Sequence, residues 1–324
     1  MLKAGETPPS HEGHVPEEFR DSARGVRLQK ALASLGIASR RHCETLIAEG
    51  HVQVNGQLVT GLPAWVNPAT DVIALDGVEL NPGARRGHAP EVGGVVVALH
   101  KPRHVLCTTA DPAGRKQVID LVQLPPGFAP RLFPVGRLDA ESTGLVLLTN
   151  DGELGNRLTH PRYRVPKQYR VIVKGAVSPE QFDLLRNGVY VPTGDDGEGP
   201  ARKMKAHTLT LGPLQKDRLR GDRTTVSLTL TEGRNLDLFR FFARVGLRVR
   251  RLQRVAIGPV TLKGLAIGKW RLLEPREVNE LRAAIGMEKT RRKRKKGTGG
   301  KGKSASNARG KPQSKPESKP NADA

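Results

Sequence analysis

The sequence is short of cysteine, of aromatic residues and of long apolar runs, and each shortage removes a class of protein. Two cysteines, Cys43 and Cys107, are too few for a disulfide framework and show no Cys-x-x-Cys spacing, so reduced structural thiols are expected. The nine histidines are scattered rather than clustered, so no metal is expected. Gly264 and Gly268, ahead of Lys269, have three residues between them, which rejects the phosphate-loop spacing. No run approaches the roughly 20 apolar residues of a membrane helix. Residues 1–24 hold acids and prolines without an apolar core, so no secretory signal is read and a cytoplasmic location is expected.

What the chain has is positive charge. It carries 54 Lys or Arg against 32 Asp or Glu, a net +22, on a 37% hydrophobic background that suits a soluble globular protein with polar tails. Such an excess points to a polyanionic partner, nucleic acid before any other. A membrane surface fits less well, because no basic helix with bulky apolar anchors is present. Half of the charge lies in residues 289–324, where thirteen Lys or Arg face two acids. That tail lacks the apolar residues that offset ordering entropy, so residues 288–324 are expected to be disordered and to grip phosphates through Arg291, Arg292, Lys293 and Arg294.

A length of 324 residues allows two or three domains. After a disordered segment 1–24, residues 25–80 read as a compact unit. Leu28, Ala31, Leu32 and Leu35 have one-faced helical spacing and Gly36 ends the run. Ser39 can cap a second helix with Cys43, Leu46 and Ile47 inside, and its first turn holds Arg40, Arg41 and His42. Cations at that end oppose the helix dipole, so their placement makes sense if a phosphate binds there. A strand at 51–54, an Asn55-Gly56 turn and a strand at 57–60 complete the unit. Residues 81–94, rich in Pro, Gly and Arg, read as a linker before a domain at 95–287. That domain opens on the strand Val95 to Leu99. It contains a Ser178-Pro179-Glu180-Gln181 helix start, a polar turn or loop at 194–199, a strand at Trp270 to Leu273, and a last helix marked by Val278, Leu281 and Ile285.

The most informative stretch is Gly136-Arg137-Leu138-Asp139-Ala140-Glu141-Ser142-Thr143-Gly144-Leu145-Val146. Leu145 to Leu148 form an apolar run of the kind that fills a sheet interior, and Asn150-Asp151-Gly152 ends it with turn chemistry. Asp139 therefore sits in a loop feeding a rigid strand, where scaffolds present reactive groups, with Arg137 two residues before it.

With Pro134-Val135 ahead of it and Leu148-Thr149-Asn150-Asp151-Gly152-Glu153-Leu154, His160-Pro161 and Lys167-Gln168-Tyr169 after it, this stretch resembles the RsuA/RluB group of pseudouridine synthases over about residues 26–286. The front unit resembles the RNA-binding domain named after ribosomal protein S four. The resemblance implies an α+β fold: a small N-terminal helix-hairpin and strand domain, then a mixed, mainly antiparallel-sheet catalytic domain. It implies isomerisation of a uridine in ribosomal RNA or a pre-ribosomal particle, the large-subunit branch being favoured over the small; no feature demands a dimer, so a monomer is expected. Asp139 then matches the catalytic aspartate, Tyr169 the residue that stacks on the flipped base, and Arg137 a neighbouring cation. Arg27, Lys30, Arg40, Arg41, Lys101, Lys167 and Arg234 are the expected RNA contacts of the folded part. The reaction detaches uracil from the sugar, rotates it and rejoins it, so it needs no cofactor. Attack on the sugar, addition to the ring and assisted elimination all remain open to Asp139.

One departure stands out. After Glu232-Gly233-Arg234-Asn235 the chain continues Leu236-Asp237-Leu238-Phe239-Arg240, which puts Phe239 where the family's aspartate-pairing cation is expected and Arg240 one place later. One helical residue is a turn of about 100°, so either a local shift brings Arg240 to the site or another cation serves. Phe239 also supports the competing reading, a noncatalytic ribosome-assembly factor that keeps the fold. A synthase acting on transfer RNA is a third reading.

Overall fold

The computed structural model describes residues 13–80, 94–126, 128, 130–193, 198–219, 221–231 and 235–287. Residues 81–93 of the expected linker at 81–94, most of the polar loop at 194–199, Arg234 and the basic tail from 288 onward lie outside the described residues.

In the front domain, Leu28, Ala31 and Leu32 of the helix Leu28–Ser34 and Cys43 and Ile47 of the helix Arg40–Ala48 are buried together. The Ser39 hydroxyl accepts the His42 backbone N–H at 3.1 Å, capping the second helix as expected. Asn55 and Gly56 take φ of 49° and 79°, the left-handed pair that a two-residue hairpin needs. They join Val52–Val54 to Gln57–Leu58 in a sheet completed by Ile73–Leu75 and Val78–Glu79. The second hairpin strand stops short of the expected residue 60, because the Thr60 and Gly61 amides donate to the His14 carbonyl instead.

That contact belongs to a correction. Residues 1–24 read as disordered, yet residues 13–24 are folded as two single 3-10 turns, Glu17–Phe19 and Ser22–Arg24. Phe19 is wholly buried and Val15 nearly so, both in the core of the front domain. Arg24 grips the Asp71 carboxylate through Nε at 3.0 Å and Nη2 at 2.8 Å. Two apolar side chains and one fork-shaped ion pair suffice here because the surface they join is supplied by residues far along the chain.

The catalytic domain is built on one long sheet. Its strands run Thr208–Gln215, Arg223–Leu230, Lys167–Lys174, Val249–Ile257, Thr143–Thr149, Val96–Lys101 and Trp270–Leu272 in spatial order, with short strands Val260–Thr261 and Phe133–Val135 pairing at its middle. All pairings are antiparallel except that between Val249–Ile257 and Thr143–Thr149. There the backbones come so close that a Cβ on Gly144 would lie 2.2 Å from the Arg254 carbonyl oxygen, and Gly144 has φ of 118°. Only glycine meets both demands.

The apolar run 145–148 is buried on both faces, as a sheet interior requires. Val97, Leu99, Val146 and Leu148 point to a core shared with helices Pro179–Asn187 and Asn235–Ala243. Leu145 and Leu147 point to a second core, shared with Gly152–Thr159 and Pro275–Ala284. Ser178 and Gln181 form the expected reciprocal capping box.

Candidate active site

The site grows from the turn ahead of the central strand. Gly136, at φ of 73°, bends the chain out of Phe133–Val135, and residues 136–142 return it to Thr143. At the far end of the strand the Asp151 carboxylate caps the next helix, accepting from the amides of Glu153 at 3.1 Å and Leu154 at 3.0 Å. The strand is thus fixed at both ends, and Asp139 sits on the return loop.

That loop is held from below. The Ser142 amide donates to the Asp139 carbonyl at 3.1 Å and the His104 amide to the Ala140 carbonyl at 2.8 Å. Lys101, the last residue of Val96–Lys101, is wholly buried, and its Nζ donates to the carbonyls of Pro102 at 2.9 Å, Ala140 at 3.2 Å and Ser142 at 2.9 Å. Lys101 was read from the sequence as an RNA contact; instead it is a strut beneath the Asp139 loop. An ammonium has three donors, and three carbonyls match them. Burial pushes its pKa down, opposed by the nearby Cys107, Asp139 and Glu141. Cys107 is a buried thiol whose pKa burial pushes up, as a structural cysteine's should be.

Tyr169 and Arg254 face each other across neighbouring strands. Tyr169 is 2% exposed and its hydroxyl is hydrogen-bonded to the Arg254 guanidinium. Burial raises the phenol's pKa, with Arg254 opposing and the Asp139 charge adding to the rise. Arg254 is 1% exposed; its Nε donates to the Leu145 carbonyl at 2.7 Å, while its Nη2 meets no hydrogen-bond partner among the described residues. Lys167 is half-buried on the same face as Tyr169, and burial together with Arg254 brings its pKa down to about 8.

Sequence reasoning missed Arg254. The strand's register supplies what the sequence did not: Leu252, Arg254 and Ala256 alternate with less buried neighbours, placing an arginine at a core-facing position. Among the expected residues, Arg137 is exposed and makes no ion pair or side-chain hydrogen bond among the described residues. Arg240 donates to the Pro192 carbonyl at 3.4 Å and lies 4.0 Å from the Asp237 carboxylate. Phe239 packs partly buried against the core. In the front domain Arg27 lies over the Trp65 ring at 5.4 Å, and Arg27, Lys30, Arg40 and Trp65 line a cavity of ≈ 340 Å³. Arg41 is exposed on the first turn of its helix.

The arrangement gathers a carboxylate on a fixed loop, a phenol and a guanidinium with an open N–H. Such a set can hold a planar base, donate to its carbonyl oxygen and supply a nucleophile or base. No group of three His, Cys, Asp or Glu side chains able to hold a metal ion occurs among the described residues.

Comparison with known proteins identifies the family. Residues 95–243 match the RNA pseudouridylate synthase family, and residues 26–61 match the S4 domain. An uncharacterised RNA pseudouridine synthase of Aquifex aeolicus is 38% identical over 271 residues, 83% of this chain and 99% of that protein. The ribosomal large subunit pseudouridine synthase B of Bacillus subtilis is 38% identical over 257 residues, 79% of this chain and 96% of that one. A solved pseudouridylate synthase superposes with a TM-score of 0.50 at 26% identity, covering 79% of this chain and all of that one. With its S4 domain in front and its single aspartate loop at the centre of the sheet, the chain belongs to the family of RNA pseudouridylate synthases.

Proposed function

We propose that the protein isomerises one uridine of ribosomal RNA to pseudouridine, in the large subunit in preference to the small, with Asp139 as the catalytic carboxylate. The observation that carries the reading is the Lys101 strut: a buried ammonium bonded to the carbonyls of Ala140 and Ser142 fixes the loop that presents Asp139 near Tyr169 and Arg254. Large-subunit RNA is favoured by the name of the Bacillus subtilis relative. We take the protein to act as a cytoplasmic monomer.

In this reaction the bond from ribose carbon 1 to uracil nitrogen 1 breaks, a bond from the same carbon to uracil carbon 5 forms, carbon 5 loses its proton to an acceptor, and nitrogen 1 gains one, so the product is an isomer of the substrate. Asp139 assists the first step by attack on the sugar, by addition to the ring or by elimination, and a proton acceptor at carbon 5 completes the isomerisation. The Nη2 of Arg254, buried and without a hydrogen-bond partner among the described residues, becomes a donor to a uracil carbonyl once the base displaces what covers it. Extruding the base costs on the order of a few kcal/mol, and stacking on an aromatic face recovers part of it. Because Tyr169 is 2% exposed, a base that stacks on its ring must displace what covers it.

The test is carbodiimide mapping of pseudouridine in large- and small-subunit ribosomal RNA after incubation with wild-type protein and with Asp139→Asn. A new stop in large-subunit RNA that depends on Asp139 supports the reading. No new stop in either RNA, with binding intact, would favour a noncatalytic assembly factor in which Phe239 marks the lost chemistry.

A further inference from the structure

The catalytic domain carries a second concentration of charge that the active site does not use. Arg164, Arg202, Lys203, Lys205, His207 and Thr231 line much of a cavity of ≈ 370 Å³, and no acidic residue lines it among the described residues. Arg164, Arg202, Lys203, Lys205 and His207 are all exposed. The four Arg and Lys side chains make no ion pair or side-chain hydrogen bond among the described residues. Elsewhere in this protein exposed arginines find carboxylates, as Arg115 finds Asp111 and Arg186 finds Asp183. Four cations around one hollow, with no ion-pair partner among the described residues, repel each other, an arrangement that becomes favourable when an anion enters it.

The fold explains how the cluster arises. Ala201–Met204 pairs with Val189–Pro192 in a two-stranded ribbon separate from the main sheet. Met204 and the following Ala206 turn inward to the core, which leaves Lys203, Lys205 and His207 outside. Directly across from Lys203 stands Tyr190, 64% exposed. An exposed aromatic ring beside unpaired cations is the pairing that single-stranded nucleic acid uses, base on ring and phosphate on charge.

The position ties the cluster to the reaction. Thr231 follows Leu230, the register partner of Lys167, and Lys167 leads two residues later to Tyr169. Arg164 lies on the approach to the same strand, in the left-handed conformation at φ of 48°. Of the segments that reach the hollow, the one with Arg164 runs into the strand carrying Tyr169, and Thr231 follows the strand paired with it.

We propose that this basic hollow, with Tyr190 at its side, binds the single-stranded RNA flanking the target uridine, its phosphodiester groups on Arg164, Arg202, Lys203 and Lys205 and a base on Tyr190. The proposal rests on the reading of the substrate as RNA. It adds to the front domain and tail a third grip, which takes hold of the strand being unstacked.

The experiment measures binding of a fluorescein-labelled single-stranded oligouridylate by the full-length protein across a range of salt concentrations. Replacing Arg202, Lys203 and Lys205 together by Ala is expected to weaken binding at least about tenfold at low salt. It should flatten the log–log salt slope by roughly 2, at about 0.7 per phosphate contact. The charge-keeping set R202K, K203R and K205R should retain the wild-type slope. Arg164→Asn, which tolerates the left-handed backbone, tests the hollow from another element and should flatten the slope by about 0.7. Tyr190→Ala should lose about fivefold or more in affinity with the slope unchanged. A triple variant with wild-type slope and affinity would overturn the proposal, as would loss of binding in the charge-keeping set. If wild-type protein makes no pseudouridine while the slope flattens as described, the RNA surface stands and the enzymatic reading falls; the reverse pair of results overturns the surface alone.

Discussion

In the front domain Arg27, Lys30 and Arg40 stand exposed around a hollow beside Trp65, whereas in the catalytic sheet Lys101 and Arg254 are almost wholly withdrawn from water. The difference follows from what surrounds each charge. A surface cation keeps its hydration, acts across a screening length of about 8 Å at physiological salt, and draws in a polyanion without fixing any atom. A buried cation is tolerated only when its donors are matched, and matching them fixes the atoms that accept. Lys101 thereby converts three carbonyls into a rigid support for the Asp139 loop. Positive charge is offered to solvent in one region and fixes a loop in the other.

The sharpest way to break this contrast is Lys101→Met, which keeps the volume and removes the donors. The carbonyls of Pro102 and Ser142 lose the Lys101 donor and that of Ala140 keeps only its His104 bond, so we expect a stability loss of about 3–5 kcal/mol, read from denaturant midpoints. Turnover should fall by a larger factor than RNA affinity. An equal loss in both would make Lys101 a general stability residue rather than a support for the loop.

Phe19→Ala tests the front domain in the same currency. Emptying a fully buried aromatic site should cost about 3–5 kcal/mol in the unfolding of that domain. RNA affinity should fall with it, while the catalytic sheet, with its own cores, keeps its hydrogen-exchange protection. Unchanged stability would show that residues 13–24 add nothing to the front core.

Those two substitutions also mark where the sequence could be read and where it could not. The Ser39 cap, the Asn55-Gly56 turn and the Ser178–Gln181 box were legible because each is settled within four residues. The central strand was legible from four consecutive apolar residues, and the α+β fold with its mainly antiparallel sheet followed from the family resemblance. Phe19 and Lys101 were misread because their surroundings come from afar. Lys101 bonds to residues about forty positions away, and Phe19 joins a core supplied by residues out to Ile73. Arg254 was hidden in a strand whose sequence, Val249-Arg250-Arg251-Leu252-Gln253-Arg254, looks like a basic surface until the register is known.

Lys167 lies between the two regimes, and its titration separates them. Below about pH 8 both the folded and the unfolded chain hold the proton, and the folded state bears the cost of the partly buried charge. Between about pH 8 and the ordinary lysine value of 10.5 only the unfolded chain still holds it, so this residue's contribution to stability rises with pH across that window. An RNA phosphate near Lys167 would restore the charged form and bind a proton as it docks. RNA affinity should therefore weaken by up to about tenfold from about pH 7 to about pH 9, and Lys167→Arg should abolish the trend. A pH-independent affinity in wild-type protein would place Lys167 away from the RNA.

The smallest expected effect is at Ser39. Ser39→Ala removes the cap of Arg40–Ala48 and should cost about 1 kcal/mol, seen as a small drop in the front domain's midpoint with turnover at saturating RNA unaffected. A loss of turnover there would mean that the first turn of this helix does more than hold RNA.

The most direct measurement is release of tritium from ribosomal RNA labelled at uridine carbon 5, because the isomerisation expels that hydrogen. Wild-type protein should release label, and Asp139→Asn should slow release at least about 10³-fold while binding RNA with near wild-type affinity. Equal release from the two proteins would remove Asp139 from the chemistry and contradict the account at its centre.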